Sequence, residues 1–245
     1  YLSSFILFLK SLPEDAGRAP RSSVWARNSA WAASLLFFAL SLLSKEMAVS
    51  LPLVLFAHAW TVRARTLKES LKDALPYLLM AFAFALLRRA VIGQTAQTAY
   101  WAGGFIPQML TMVKGFAWYV KLMLVPHPLS VEYLFPAKHA VDGEVLLSGL
   151  FLSAILLAAW RLRKTRPIVS FGIVLFFLSL APVSNIIPIN TIINERFLYL
   201  AVVGFGLALG ELVGGRVWRL PADAGSRPLP WAAALAALFI AYSLA

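Results

Sequence analysis

The sequence has no cysteine, three histidines and half as many acidic as basic residues. The first absence excludes disulfides and thiolate metal sites. His58, His127 and His139 lack ligand-like spacing, so no metal is indicated. Charge of either sign is scarce, 13% of 245 residues, and the apolar runs Leu35 to Leu43, Ile168 to Ile187 and Phe197 to Leu209 carry no polar face, which excludes a soluble globular domain. The alternating pattern of an outer-membrane barrel is missing, as are solenoid repeats and low-complexity tracts. Nor is there a recognisable signal peptide, since Tyr1 to Leu9 has no basic flank and no cleavage pattern follows.

What is present is grease with sparse charge. Hydrophobic residues make up 60% of the chain, and stretches of roughly 16 to 22 apolar residues recur, enough for helices that cross a hydrocarbon core of about 30 Å. The chain reads as one all-α transmembrane domain, 1–245, a polytopic bundle of about seven to nine membrane helices. Because it opens and closes inside apolar runs, Tyr1 to Leu9 and Trp231 to Ala245, it is expected to be a piece of a longer protein. Helices are predicted near 1–9, 28–43, 46–62, 74–92, 143–161, 168–188, 196–213 and 230–245.

The net charge of +11 does not point to nucleic acid, because the basic residues sit in short clusters between apolar segments, where they set topology. Lys10, Arg18, Arg21 and Arg27 form the first, Arg63, Arg65, Lys68 and Lys72 the second, Arg161, Arg163, Lys164 and Arg166 the third, and Arg216, Arg219 and Arg227 the last. The positive-inside rule places all four in the cytoplasm and puts Lys45-Glu46, Arg88-Arg89, residues 93–142 and Asn185 to Arg196 on the opposite face. Phe105 to Val125 is hydrophobic enough to cross, but crossing would move Arg161 to Arg166 outside. An interfacial or re-entrant helix is therefore expected, with Lys114 and Lys121 on one face and Trp118 and Tyr119 as interfacial anchors. Tyr100 and Trp101 read as anchors too. Segments 28–43 and 46–62, each about 24 Å long, are short for a crossing, so their shared turn is expected to sit sunk below the membrane surface.

Two motifs stand out because they put unlike charges where apolar segments meet: Ser44-Lys45-Glu46 and Asn194-Glu195-Arg196. Ionisable groups are costly to desolvate there, which makes them site candidates. Lys45 is a compact charge suited to phosphate, and Glu46 beside it either holds that charge or accepts a hydroxyl proton; an ion pair capping the turn is the structural alternative. Arg88 and Arg89 either bind a phosphate head or snorkel to lipid headgroups. Asn185, Asn190 and Asn194 could donate to sugar hydroxyls or cap helices, and Arg196 could clamp a phosphate. Glu132, the lone acid in the Pro-rich segment Pro126 to Pro136, is a weak candidate for a catalytic base. Gly204, Gly206 and Gly210 read as close-packing positions.

Taken in order, Leu42-Leu43-Ser44-Lys45-Glu46-Met47 through Pro52, Tyr119 through Leu124-Val125-Pro126 to Leu129-Ser130-Val131-Glu132-Tyr133, Pro182-Val183-Ser184-Asn185 and Glu195-Arg196-Phe197-Leu198-Tyr199-Leu200 resemble the membrane region of the O-mannosyltransferases that carry tetratricopeptide repeats, and of their bacterial relatives, in the type C glycosyltransferase superfamily (GT-C). The resemblance implies a polyprenyl-phosphate sugar donor, no cofactor, and inverting transfer to a protein or glycan acceptor on the non-cytoplasmic face, in a bacterial inner membrane or its equivalent. It assigns Lys45 and Arg196 to the donor phosphate, with Arg88 and Arg89 near by. Glu46 and Glu195 would orient those cations, and Asn185, Asn190, Asn194 and Tyr199 would support the site. The expected acidic residue of the first outer loop should lie before Tyr1, so the general base is unassigned. The chain also departs from the family in showing no repeat domain after its last helix. Two other readings stand beside it: a carrier or flippase for lipid-linked glycans, which would want charges at several depths, and a non-catalytic scaffold whose charge pairs are structural.

Overall fold

A computed structural model describes residues 1–12, 23–93, 100–130, 133, 135–189 and 191–217. Among them the chain is helical, without a strand. Eight α-helices follow one another: α1 (Leu2–Ser11), α2 (Val24–Ser44), α3 (Leu51–Thr61), α4 (Leu67–Ile92), α5 (Phe105–Leu124), α6 (Gly143–Leu162), α7 (Pro167–Leu180) and α8 (Leu198–Val217). Four segments are long and apolar enough to cross a membrane, Val24–Ser44, Leu67–Val91, Gly143–Leu162 and Glu195–Gly214, and three shorter apolar stretches accompany them. This is a helical membrane protein. The helix expected at 230–245, the bases Arg219 and Arg227, and Arg18 and Arg21 lie outside the described residues.

Several boundaries differ from the sequence reading, each for a local reason. α4 starts at Leu67, not 74, because Thr66 and Glu69 form a reciprocal capping box, and its first turns are charged only because they precede the apolar stretch. The segment expected to be one helix over 46–62 is divided into a 3₁₀ turn, Glu46–Ser50, and α3. Pro52 lacks an N–H and would clash with a preceding helical turn, so the α-helix can begin only beside it. α7 stops at Leu180, short of 188, where Pro182 and a left-handed Asn185 (φ 59°) end the helix. α2 runs 21 residues, or ~31 Å, a full crossing. Only the α3 arm of the turn, 11 residues long, is therefore short for a crossing.

The helices pack through small residues and buried hydroxyls, as expected where lipid removes the hydrophobic drive between helices. α7 and α8 touch backbone to backbone: a Cβ built on Gly204 would lie 2.5 Å from the Gly172 carbonyl oxygen and 2.6 Å from the Phe176 nitrogen. Gly206 and Gly210, expected to share that role, face open space instead. On the other side of the bundle Ser34 of α2 donates to the Ser4 carbonyl of α1 at 2.7 Å and lies 2.7 Å from the Tyr77 hydroxyl of α4.

Two contacts decide the path of α5. At its start Tyr100 donates to the Ile186 carbonyl at 3.2 Å, and just after its end the Ser130 N–H donates to Glu195. Both flanks of α5 are thus tied to the connection between α7 and α8, so α5 enters and leaves on one side of the bundle. Consistent with this, the basic ends of α3 and α6 meet, with the Trp60 and Trp160 ring centroids 5.6 Å apart. Tyr119 is no interfacial anchor, however. It is fully buried, and its hydroxyl accepts from the Asn194 N–H at 3.1 Å. Lys114, instead of reaching for headgroups, pairs with Glu144 at 2.8 Å, and Lys138 pairs with both Asp142 and Glu144. This cluster fastens the segment before α6 to α5.

Candidate functional site

At the end of the bundle away from the Trp60–Trp160 contact, the turn between α2 and α3 projects Lys45 and Glu46 toward the last turns of α4. A groove of about 340 Å³ opens there, lined by Lys45, Glu46 and Arg88 on its polar side and by Leu42, Leu43, Phe84, Leu87 and Val91 on the other. The extended backbone of Lys45, which ends α2, turns its side chain out of the helix. Its ammonium stands 5.3 Å from the centre of the Tyr199 ring, within cation–π range. Residues 154 positions apart in the chain are thereby brought together, linking the Ser-Lys-Glu motif to the Glu-Arg-Phe-Leu-Tyr motif.

The described carboxylates leave Lys45 and Arg196 unpaired, and only Arg88 of the candidate phosphate ligands has one. Glu46 faces Arg88, at 3.8 Å, and not Lys45. Glu195 points away from Arg196 and accepts from the Ser130 N–H at 2.6 Å and from the Tyr133 hydroxyl. Among the described residues no carboxylate lies within ion-pair reach of Lys45 or Arg196, and both are exposed. Arg88 is half-buried, its guanidinium pairs with Glu46, and its Nε is a buried donor without a partner, a desolvation cost at the edge of the groove. Arg89 is exposed. Arg196, three residues before Tyr199, rests its guanidinium 5.4 Å from its neighbour Phe197.

The asparagines work on the backbone. Asn194 caps the 3₁₀ turn Glu195–Phe197 by accepting from the Arg196 N–H at 2.9 Å, which sets the direction in which Arg196 leaves the chain. Asn185 is buried, accepts from the Ile189 N–H and reaches the Thr191 carbonyl, so it shapes the connection and offers nothing to a ligand. Asn190 and Glu132 lie outside the described residues. What the sequence reading missed is the clamp on Glu195. Ser130 and Tyr133 stand in the sequence as parts of a Pro-rich segment and, with Tyr119, of a stretch that carries the family resemblance, none of which signals that they hold this connection. Yet the Tyr133 phenol is pushed up to about 12, first by burial and then by the Glu195 carboxylate, so it stays a donor at neutral pH.

No family model, curated protein or solved structure matches this chain.

Proposed function

We propose that the groove beneath Lys45 binds the phosphate of a polyprenyl-phosphate sugar and that the protein transfers the sugar to an acceptor hydroxyl of a protein or glycan. The observation that carries this reading is the meeting of Lys45 with Tyr199, three residues after an Arg196 that no described carboxylate pairs, at a groove that Arg88 and an apolar wall also line. A lipid phosphate needs that pairing: cations for the head, and leucine, phenylalanine and valine side chains for the first prenyl units. Glycosyl transfer releases the lipid phosphate with an added negative charge, and cations already in place stabilise it as it develops. The acceptor proton goes to a carboxylate acting as general base, in keeping with the resemblance to the O-mannosyltransferases. Glu195, already accepting two hydrogen bonds, positions the loop through Ser130 and Tyr133. In this reading the four basic clusters face the cytoplasm and the groove opens on the opposite face of a bacterial inner membrane or its equivalent.

The test is binding of polyprenyl-phosphate mannose, and of the polyprenyl phosphate alone, to the purified full-length protein and its Lys45→Ala and Arg196→Ala variants. Removing a charge-assisted contact costs about 1.5–3 kcal/mol, or roughly 10- to 150-fold in affinity. Both variants should lose both ligands by that much while keeping their melting temperature. Unchanged binding in the folded variants would remove the phosphate site and the transferase reading with it.

A further inference from the structure

The opposite end of the bundle holds a second, separate groove, of about 370 Å³, where the turn after α3 meets the turn between α6 and α7. Its lining includes Arg65, Arg163 and Lys164 and no carboxylate. Unlike a loop cation that merely sets topology, Arg163 is fixed. Its guanidinium stacks on two indoles, 4.0 Å from the Trp160 ring centre and 4.7 Å from that of Trp60. Arg65 is fixed as well, by a 2.7 Å ion pair to Asp73 of α4, which satisfies one of its donors and leaves others for a ligand. α7 begins at the groove with Pro167, without a side-chain cap on its first N–H groups.

We propose that this groove binds the phosphate of an anionic phospholipid, which bridges the α3–α4 and α6–α7 turns. A lipid fits better than a soluble anion because the groove lies where apolar helices end. Trp160 is 54% exposed, and Leu156 and Leu157, one turn nearer the membrane centre on α6, are exposed beside it, offering an apolar surface to an acyl chain. Arginine stacked on tryptophan presents its planar edge to a phosphate with little further ordering to pay for. Basic pockets between membrane helices are suited to such headgroups.

Full-length protein stripped of lipid is titrated with phosphatidylglycerol, with phosphatidylcholine and with inorganic phosphate, and read by native mass spectrometry and by melting temperature. Phosphatidylglycerol should bind and raise the melting temperature where phosphatidylcholine and inorganic phosphate at equal concentration do not. Each removed cation should weaken binding about fivefold. Lys164→Gln, an exposed position whose loss does not threaten folding, should show that alone, and Arg163→Gln with Lys164→Gln about 25-fold, while Lys68→Gln on the same side but outside the groove has no comparable effect. Equal binding by native protein and Lys164→Gln, or equal binding of the two lipids, overturns the site. Protection by inorganic phosphate as strong as that by phosphatidylglycerol overturns the lipid assignment.

Discussion

Gly204→Ala offers the sharpest test of the helix packing that holds the Tyr199 end of α8 against its neighbours. The added Cβ would stand 2.5 Å from the Gly172 carbonyl oxygen and 2.6 Å from the Phe176 nitrogen, both backbone atoms. Ordinary contact needs about 3.4 Å or more, so α7 and α8 must part by nearly 1 Å at their crossing. A radial gap of roughly 0.5–1 Å forfeits about a quarter to a half of the contact energy across it, and overpacking of this kind costs about 1–3 kcal/mol. For a chain of this size that lowers the melting temperature by about 2–12 °C. Gly206→Ala is the control of opposite sign. Its Cβ meets nothing within 4 Å, and replacing glycine inside a helix gains about 0.5–1 kcal/mol. Thermal unfolding of both variants in one detergent, followed by helical circular dichroism, separates them. Equal melting temperatures would refute the backbone contact and the seam built on it.

Three further outcomes are expected. Ser34→Ala leaves the Ser4 and Tyr77 hydroxyls of α1 and α4 without their shared partner and should cost about 0.6–1.7 kcal/mol, measured by the same unfolding assay; no loss would mean that the hydroxyls find other partners. Glu195→Gln keeps one acceptor oxygen but removes the charge that holds Ser130 and Tyr133. Protease cleavage near residues 126–133 should rise severalfold with the helix content intact, and an unchanged digestion pattern would contradict the clamp. Asp142 is held below the ordinary carboxylate range by its hydrogen bond from Lys138 first, and next by the Val145 N–H. A depressed carboxyl stabilises the folded state above its unfolded value and loses that contribution as pH falls through its folded value. The protection of the Val145 amide against hydrogen exchange, taken relative to the intrinsic rate at each pH, should therefore fall on acidification in the native protein and be low and independent of pH in Asp142→Ala.

The helical membrane class followed from the sequence alone, because long apolar runs broken by short basic clusters permit few other states in water or lipid. So did the two charged motifs, since a lysine or arginine beside a glutamate at the edge of an apolar run is conspicuous against so little other charge. Local chemistry that sequence reading can misjudge set the ends of the helices: the Thr66–Glu69 capping box lengthened α4 into a region that looked like a loop, while Pro52 and Pro182 split or shortened helices that looked continuous. Tertiary structure alone decided who meets whom. That Lys45 lies over Tyr199, that Glu46 turns to Arg88, that Glu195 is taken by Ser130 and Tyr133, and that Tyr119 is buried against Asn194 all depend on helices far apart in the chain. Hydropathy reports the depth of a segment in a membrane but not its neighbours or the face it turns to them. Those are settled by close packing, down to the contact of Gly172 with Gly204, where a single methyl group would alter the answer.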